Sequence, residues 1–133
     1  MNRASALVAS SGVSRMVTLE VPGRRSGRTF SLPLVMVVIA DERYLVSMLG
    51  ESVQWVQNVR AAGGRAALRS GGREEIRLEE VPAAARAPIL KTYLERAPGA
   101  RPHLPVNKDA PIAEFEQIAA AFPVFRVATR SRS

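Results

Sequence analysis

The sequence predicts an α+β domain built on a small, mostly antiparallel β-barrel with about three helices packed around it. Three observations carry this. Apolar and polar residues alternate over several short runs, as in half-buried strands. The runs are joined by reversals such as Asp41-Glu42 and Gly71-Gly72, too short for the crossover that parallel neighbours need. Helical spacing is confined to three stretches, which argues against a doubly wound parallel sheet. At 133 residues and 47% hydrophobic content, the chain fits one domain with a real core.

Residues 1–14 are small and polar with no sustained period and read as a flexible lead-in; residues 15–129 form the domain and 130–133 a tail. A first strand is expected over 15–21 and a second over 29–40, where Pro33 cannot donate to a ladder and marks an edge, a bulge or an opening. A third strand follows at 43–48 and ends at Leu49-Gly50. A helix over 52–61 takes Ser52 as N-cap and Gly63-Gly64 as its stop. Strands at 65–69 and 74–81 form a hairpin around Gly71-Gly72. Pro82 opens a helical stretch to Ala97 that Pro88 should kink or split, with Ile89, Leu90, Tyr93 and Leu94 on its apolar face. Residues 101–108 read as an ordered loop. Asp109 caps a third helix over 110–121, packed through Ile112, Phe115, Ile118 and Phe122, and a last strand covers 123–129.

The most informative stretch is Gly23-Arg24-Arg25-Ser26-Gly27-Arg28, between the first two strands. Glycines permit a tight loop that turns backbone amides outward, and arginine forks match phosphate or carboxylate. The loop is thus an anion cradle or a solvated basic hairpin tip. A net charge of +7 favours an anionic partner without choosing among phosphate, nucleic acid, acidic lipid or a cofactor tail. With no cysteine there is no thiolate nucleophile or iron–sulfur ligand, and one histidine leaves little to ligate zinc, so any redox chemistry calls for a bound organic cofactor. No apolar run is long enough to cross a bilayer, and a cytoplasmic protein is expected.

Taken together, Gly23 to Arg28, Pro33-Leu34, Tyr44-Leu45-Val46-Ser47, Gly50-Glu51 and Trp55-Val56-Gln57-Asn58-Val59-Arg60-Ala61 resemble the deazaflavin-dependent nitroreductase family. The likeness extends through Arg73 to Pro82 and the helix around Ala87 to Leu94, covering about residues 17–127. It implies a split β-barrel of the flavin-binding type and the coenzyme F420, an 8-hydroxy-5-deazaflavin, as two-electron donor to a small acceptor. It further implies that Arg24, Arg25, Ser26, Gly27 and Arg28 hold the phosphate and anionic tail. Leu32, Pro33 and Leu34 would line the ring pocket, Ser47, Met48, Leu49 and Gly50 would cover the ring, and Trp55, Asn58, Val59 and Arg60 would close the site. The chain departs from the family pattern at Phe30, where many relatives carry a cation, and at Val56, where an aromatic is common.

Hydride transfer needs positioning rather than a nucleophile, which suits a chain without a Ser-His-Asp or Cys-His set. Tyr93 and His103 are the proton-donor candidates, although Tyr93, on an apolar helix face, reads first as core and His103 first as surface. Trp55 can be a plain core aromatic and Asn58 a solvated helix residue; Glu74-Glu75 and Glu79-Glu80 read as solvated. The expected function is an F420-dependent reductase acting on a quinone, nitro-aromatic or activated enone, as monomer or homodimer. FMN or haem in the same barrel is the alternative. A module binding nucleic acid or acidic membrane ranks below both, because the aromatics are not interleaved with the arginines; peripheral membrane association stays open.

Overall fold

The computed structural model describes residues 11–129, and the readings made for 1–10 and 130–133 lie outside them. Six strands close a barrel in the order β1-β2-β3-β6-β5-β4, with every ladder antiparallel. They are β1 (Ser11–Pro22), β2 (Thr29–Ile39), β3 (Glu42–Val46), β4 (Arg65–Arg69), β5 (Arg73–Glu80) and β6 (Val124–Thr129). Three α-helices accompany them among the described residues: α1 (Gln54–Ala61), α2 (Ala87–Arg96) and α3 (Ile112–Ile118).

The barrel is split at β2. This strand pairs with β1 from Pro22↔Thr29 onward, but with β3 only from Met36 to Ile39. Its first half therefore has one neighbour, and Pro33, which has no N–H to offer, lies in that half. The strand-period reading holds on both sides. Val17, Leu19 and Val21 face the interior with Met36, Leu45, Ile76, Leu78 and Phe125, all buried. The helix α1 plugs this interior from the split end: Val56 and Val59 are buried in it, and the Trp55 ring lies 5.6 Å from that of Phe125. On the outer face, Val37, Val46 and Val124 pack under Leu90, Tyr93, Leu94 and Phe115 of α2 and α3.

Helix boundaries differ from the sequence reading for local reasons. α1 begins two residues late, with Val53 rather than Ser52 at its N-cap and no side-chain cap. The Gln57 amide donates back to the Glu51 carbonyl instead, tying the helix to its approach. Its stop is as expected: Gly63 and Gly64 have φ of 65° and 89°, and a Cβ at Gly64 would stand 2.4 Å from the Leu78 carbonyl oxygen. Pro88 splits the next stretch into a 3₁₀ turn, Ala83–Ala85, and α2, where the proline sits in the first turn. The expected loop starts inside a second 3₁₀ turn, Pro98–His103. α3 has Pro111 at its N-cap, not Asp109, whose carboxylate takes the Lys108 ammonium at 3.0 Å; Ile112 is exposed. β1 starts at Ser11, within the stretch read as a lead-in.

The glutamates of β5 are not simply solvated. Glu74 accepts both Arg43 nitrogens at 2.8 and 3.0 Å. Glu80 accepts Arg60 Nε at 3.0 Å and Nη2 at 2.7 Å, and Arg86 Nη2 at 3.1 Å; Arg60 also reaches Glu51 at 3.0 Å. This Glu51–Arg60–Glu80–Arg86 chain fastens α1 to β5 and to the approach of α2. Arg60 holds the Glu80 carboxyl below the ordinary glutamate value, and Arg43 does the same to Glu74. The folded chain thus binds fewer protons here than the unfolded one, so the stabilisation is complete above about pH 4.5 and is lost as pH falls through the lowered values. Chemical denaturation across pH should show that acid-side fall, and Glu80→Gln should cost about 1–2 kcal/mol at neutral pH while shrinking it. An unchanged pH profile in the variant would contradict the pairing.

Candidate functional site

The basic loop is a hairpin tip closed by its own backbone. Gly23 N–H donates to the Arg28 carbonyl at 2.7 Å, Gly27 N–H to the Gly23 carbonyl at 3.0 Å, and Arg28 N–H to Ser26 Oγ at 3.2 Å. Gly27 takes φ 77°, the left-handed turn that the sequence anticipated. Gly23 has no positive φ, but a Cβ there would come within 2.4 Å of the Phe30 ring as it stands and 3.1 Å of the Arg28 carbonyl oxygen. The backbone amides of Arg25 and Ser26 make no hydrogen bond to a described residue.

The loop is anchored to α1 by one arginine. Asn58 Oδ1 accepts the Arg24 backbone N–H at 3.2 Å and the Arg24 guanidinium at 2.7 Å, and Gln54 Oε1 takes the same guanidinium nitrogen at 2.9 Å. Asn58 is buried, so its role is neither solvated nor accidental. Both acceptors are neutral, which orients the Arg24 charge without cancelling it. Arg25 and Arg28 make no ion pair with a described residue. Six other arginines, Arg43, Arg60, Arg69, Arg73, Arg86 and Arg126, do meet carboxylates. Positive charge is therefore left standing at the loop.

Two hollows meet beside it. The first, about 530 Å³, lies against the loop and is lined by Arg24, Arg25, Ser26, Phe30, Asn58 and Gln54 among others. The second, about 570 Å³, runs under the split half of β2 and is lined by Pro33, Leu34, Ser47, Met48, Leu49 and Tyr93 among others. Leu32 and Trp55 line both and form the partition between them. Every charged residue lining either hollow is an arginine, Arg24 and Arg25 in one, Arg15 and Arg96 in the other.

The second hollow has a shaped rim. Ser47 is buried, and its hydroxyl donates to the Gly50 carbonyl at 2.6 Å, folding the end of β3 into a turn that lifts Leu49 outward. Tyr93 enters from α2; it is buried, burial pushes its phenol up to about 12, and its hydroxyl makes no hydrogen bond to a described residue. It is thus a neutral phenol at the wall of the hollow, without a hydrogen-bond partner among the described residues.

The structure brings together most of the residues singled out from the sequence, with some exceptions. Val59 lines neither hollow, because it points into the barrel core. Arg60 is turned away toward Glu80 and Glu51. Gly27, Arg28 and Gly50 shape the turns without lining a wall, and His103 lines neither hollow. Gln54, Met16 and the segment 97–100 were missed. Gln54 was findable four residues before Asn58 on one helix face, and Met16 as an apolar residue on the outward side of β1.

No protein-family model and no curated protein matches the chain. Solved structures do resemble it. An F420-H2 dependent reductase, FDR-A, superposes with a TM-score of 0.58 at 18% identity, over 84% of this chain and 92% of that one. The hypothetical protein Rv2991 of Mycobacterium tuberculosis gives 0.65 at 22% identity, over 98% and 82%. An FAD-binding protein, mll6688 of Mesorhizobium loti, gives 0.55 at 15% identity, over 98% and 91%. The chain accordingly has the split β-barrel fold, in which an F420-H2 dependent reductase and an FAD-binding protein are both built.

Proposed function

We propose that this chain is an F420-dependent oxidoreductase that reduces an electron-poor acceptor such as a quinone, nitro-aromatic or activated enone. One observation carries the reading: an arginine-and-amide loop whose charge no carboxylate cancels opens onto a ring-sized apolar hollow across the Leu32–Trp55 partition. A cofactor with a phosphate-bearing arm and a flat ring needs those two features side by side. The likeness to an F420-H2 dependent reductase supports the same choice.

The residues present fit such a group. Arg25, the uncommitted amides of Arg25 and Ser26, and the oriented Arg24 would hold the phosphate. Leu32, Pro33, Leu34 and Trp55 would exclude water from the ring, with the Ser47–Gly50 turn and Met48 and Leu49 as the facing wall. When bound, reduced F420 supplies the hydride, so the chain needs no nucleophile of its own. Tyr93 keeps its proton at Oη throughout the physiological range, since its phenol titrates only near 12, and offers it to an acceptor oxygen in the hollow. Arg15 and Arg96, which line the same hollow as Tyr93, stabilise negative charge as it develops on that acceptor.

FMN is the second reading, favoured by the FAD-binding neighbour and by a loop that would hold any phosphate monoester. Titration with oxidised F420 and with FMN, followed by fluorescence, separates the two. Saturable micromolar F420 binding is expected, and Arg25→Ala should weaken it by about 1–3 kcal/mol, roughly 5- to 150-fold. Tighter binding of FMN, or binding of neither, overturns the assignment. For Tyr93, the Tyr93→Phe variant should bind F420 as the native chain does while turning over an acceptor about 100-fold more slowly. Equal turnover would remove Tyr93 from the chemistry.

A further inference from the structure

Phe30 is a large aromatic that the fold leaves 52% exposed, although the rest of the strand face it shares with Leu32, Leu34 and Met36 turns inward. Burial therefore does not explain it. Its ring lies over Gly23, so that a Cβ there would stand 2.4 Å from the ring edge and would push the ring aside. The ring also lines the loop hollow with Trp55, Arg24 and Arg25. A hollow built only to collect charge would not place two aromatic rings among its walls.

The charge of the hollow is also limited. Two arginines line it, no carboxylate does, and one of the two shares its guanidinium with Gln54 and Asn58. That complement matches the one or two negative charges of a phosphate ester and should hold a compact polyanion such as pyrophosphate only at millimolar concentration.

We infer that Phe30 is a specificity-determining residue of the loop hollow. Its exposed ring gives a flat apolar face to the carbon skeleton of a phosphate ester whose charge rests on Arg24 and Arg25, so the hollow favours ring-bearing phosphate esters over bare polyanions. This rests on the cofactor reading above and adds which part of the ligand Phe30 reads.

The test compares the native chain with Phe30→Ala and Phe30→Leu, each titrated with F420, FMN and inorganic pyrophosphate, with thermal melting to verify folding. Phe30→Ala should weaken the ring-bearing ligand that the native chain holds by about 10-fold, Phe30→Leu by less, and pyrophosphate by less than about twofold. An equal loss for pyrophosphate makes Phe30 a support of the loop and overturns the inference. So does an unchanged affinity for the ring-bearing ligand, and so does a native chain that binds no pyrophosphate at millimolar concentration. A native chain that binds pyrophosphate but neither F420 nor FMN overturns the cofactor reading as well, which separates the two failures.

Discussion

The Asn58 side chain reaches from the buried face of α1 to Arg24, taking both its backbone N–H at 3.2 Å and its guanidinium at 2.7 Å. This pair of hydrogen bonds joins the two halves of the site. A hairpin tip rich in arginine repels itself and moves freely unless something fixes it; here a helix that plugs the barrel does so with a neutral amide. The same helix carries Trp55 into the partition between the hollows, so the position of the loop and the width of the site are set by one rigid element.

That element is held from its other side by charge. Arg60 of α1 binds Glu80 and Glu51, and Arg86 completes the chain, itself buried and donating to the Val81 and Ala119 carbonyls. Carboxylates are consumed along β5 and beneath α1, where they match arginines in pairs. No carboxylate lines either hollow. Among the residues lining the two hollows, the charged ones are all arginines, so the walls of the site are positive. Local pairing, more than net charge, gives the site its polarity.

Much of this was legible in the sequence because it is local. The alternation along β1 and β2, Pro33 at the open half, the glycine stop after α1 and the hairpin at Gly71-Gly72 follow from turn chemistry and period within a few residues. What was misread depends on side-chain partners, some adjacent and some far along the chain. Ser52 and Asp109 look like caps, but α1 and α3 begin without side-chain caps and their approaches are settled by other contacts. Arg60 looks free to meet a phosphate and is bound to a glutamate twenty positions away. Asn58 meets Arg24 across thirty-four positions, which no spacing rule reveals. The basic loop itself was evident from its composition; the hollow that gives it a use needed the closure of the barrel and the segment 97–100 brought over its far wall.

The coupling between α1 and the loop can be read directly by a double-mutant cycle on F420 affinity with Arg24→Ala, Asn58→Ala and both together. If Asn58 acts by orienting Arg24, each single change should weaken binding by about 10-fold and the double change by little more than either alone. Losses that multiply, with the double variant weakened about 100-fold, would show two independent contributions and contradict the anchored loop on which the site is built.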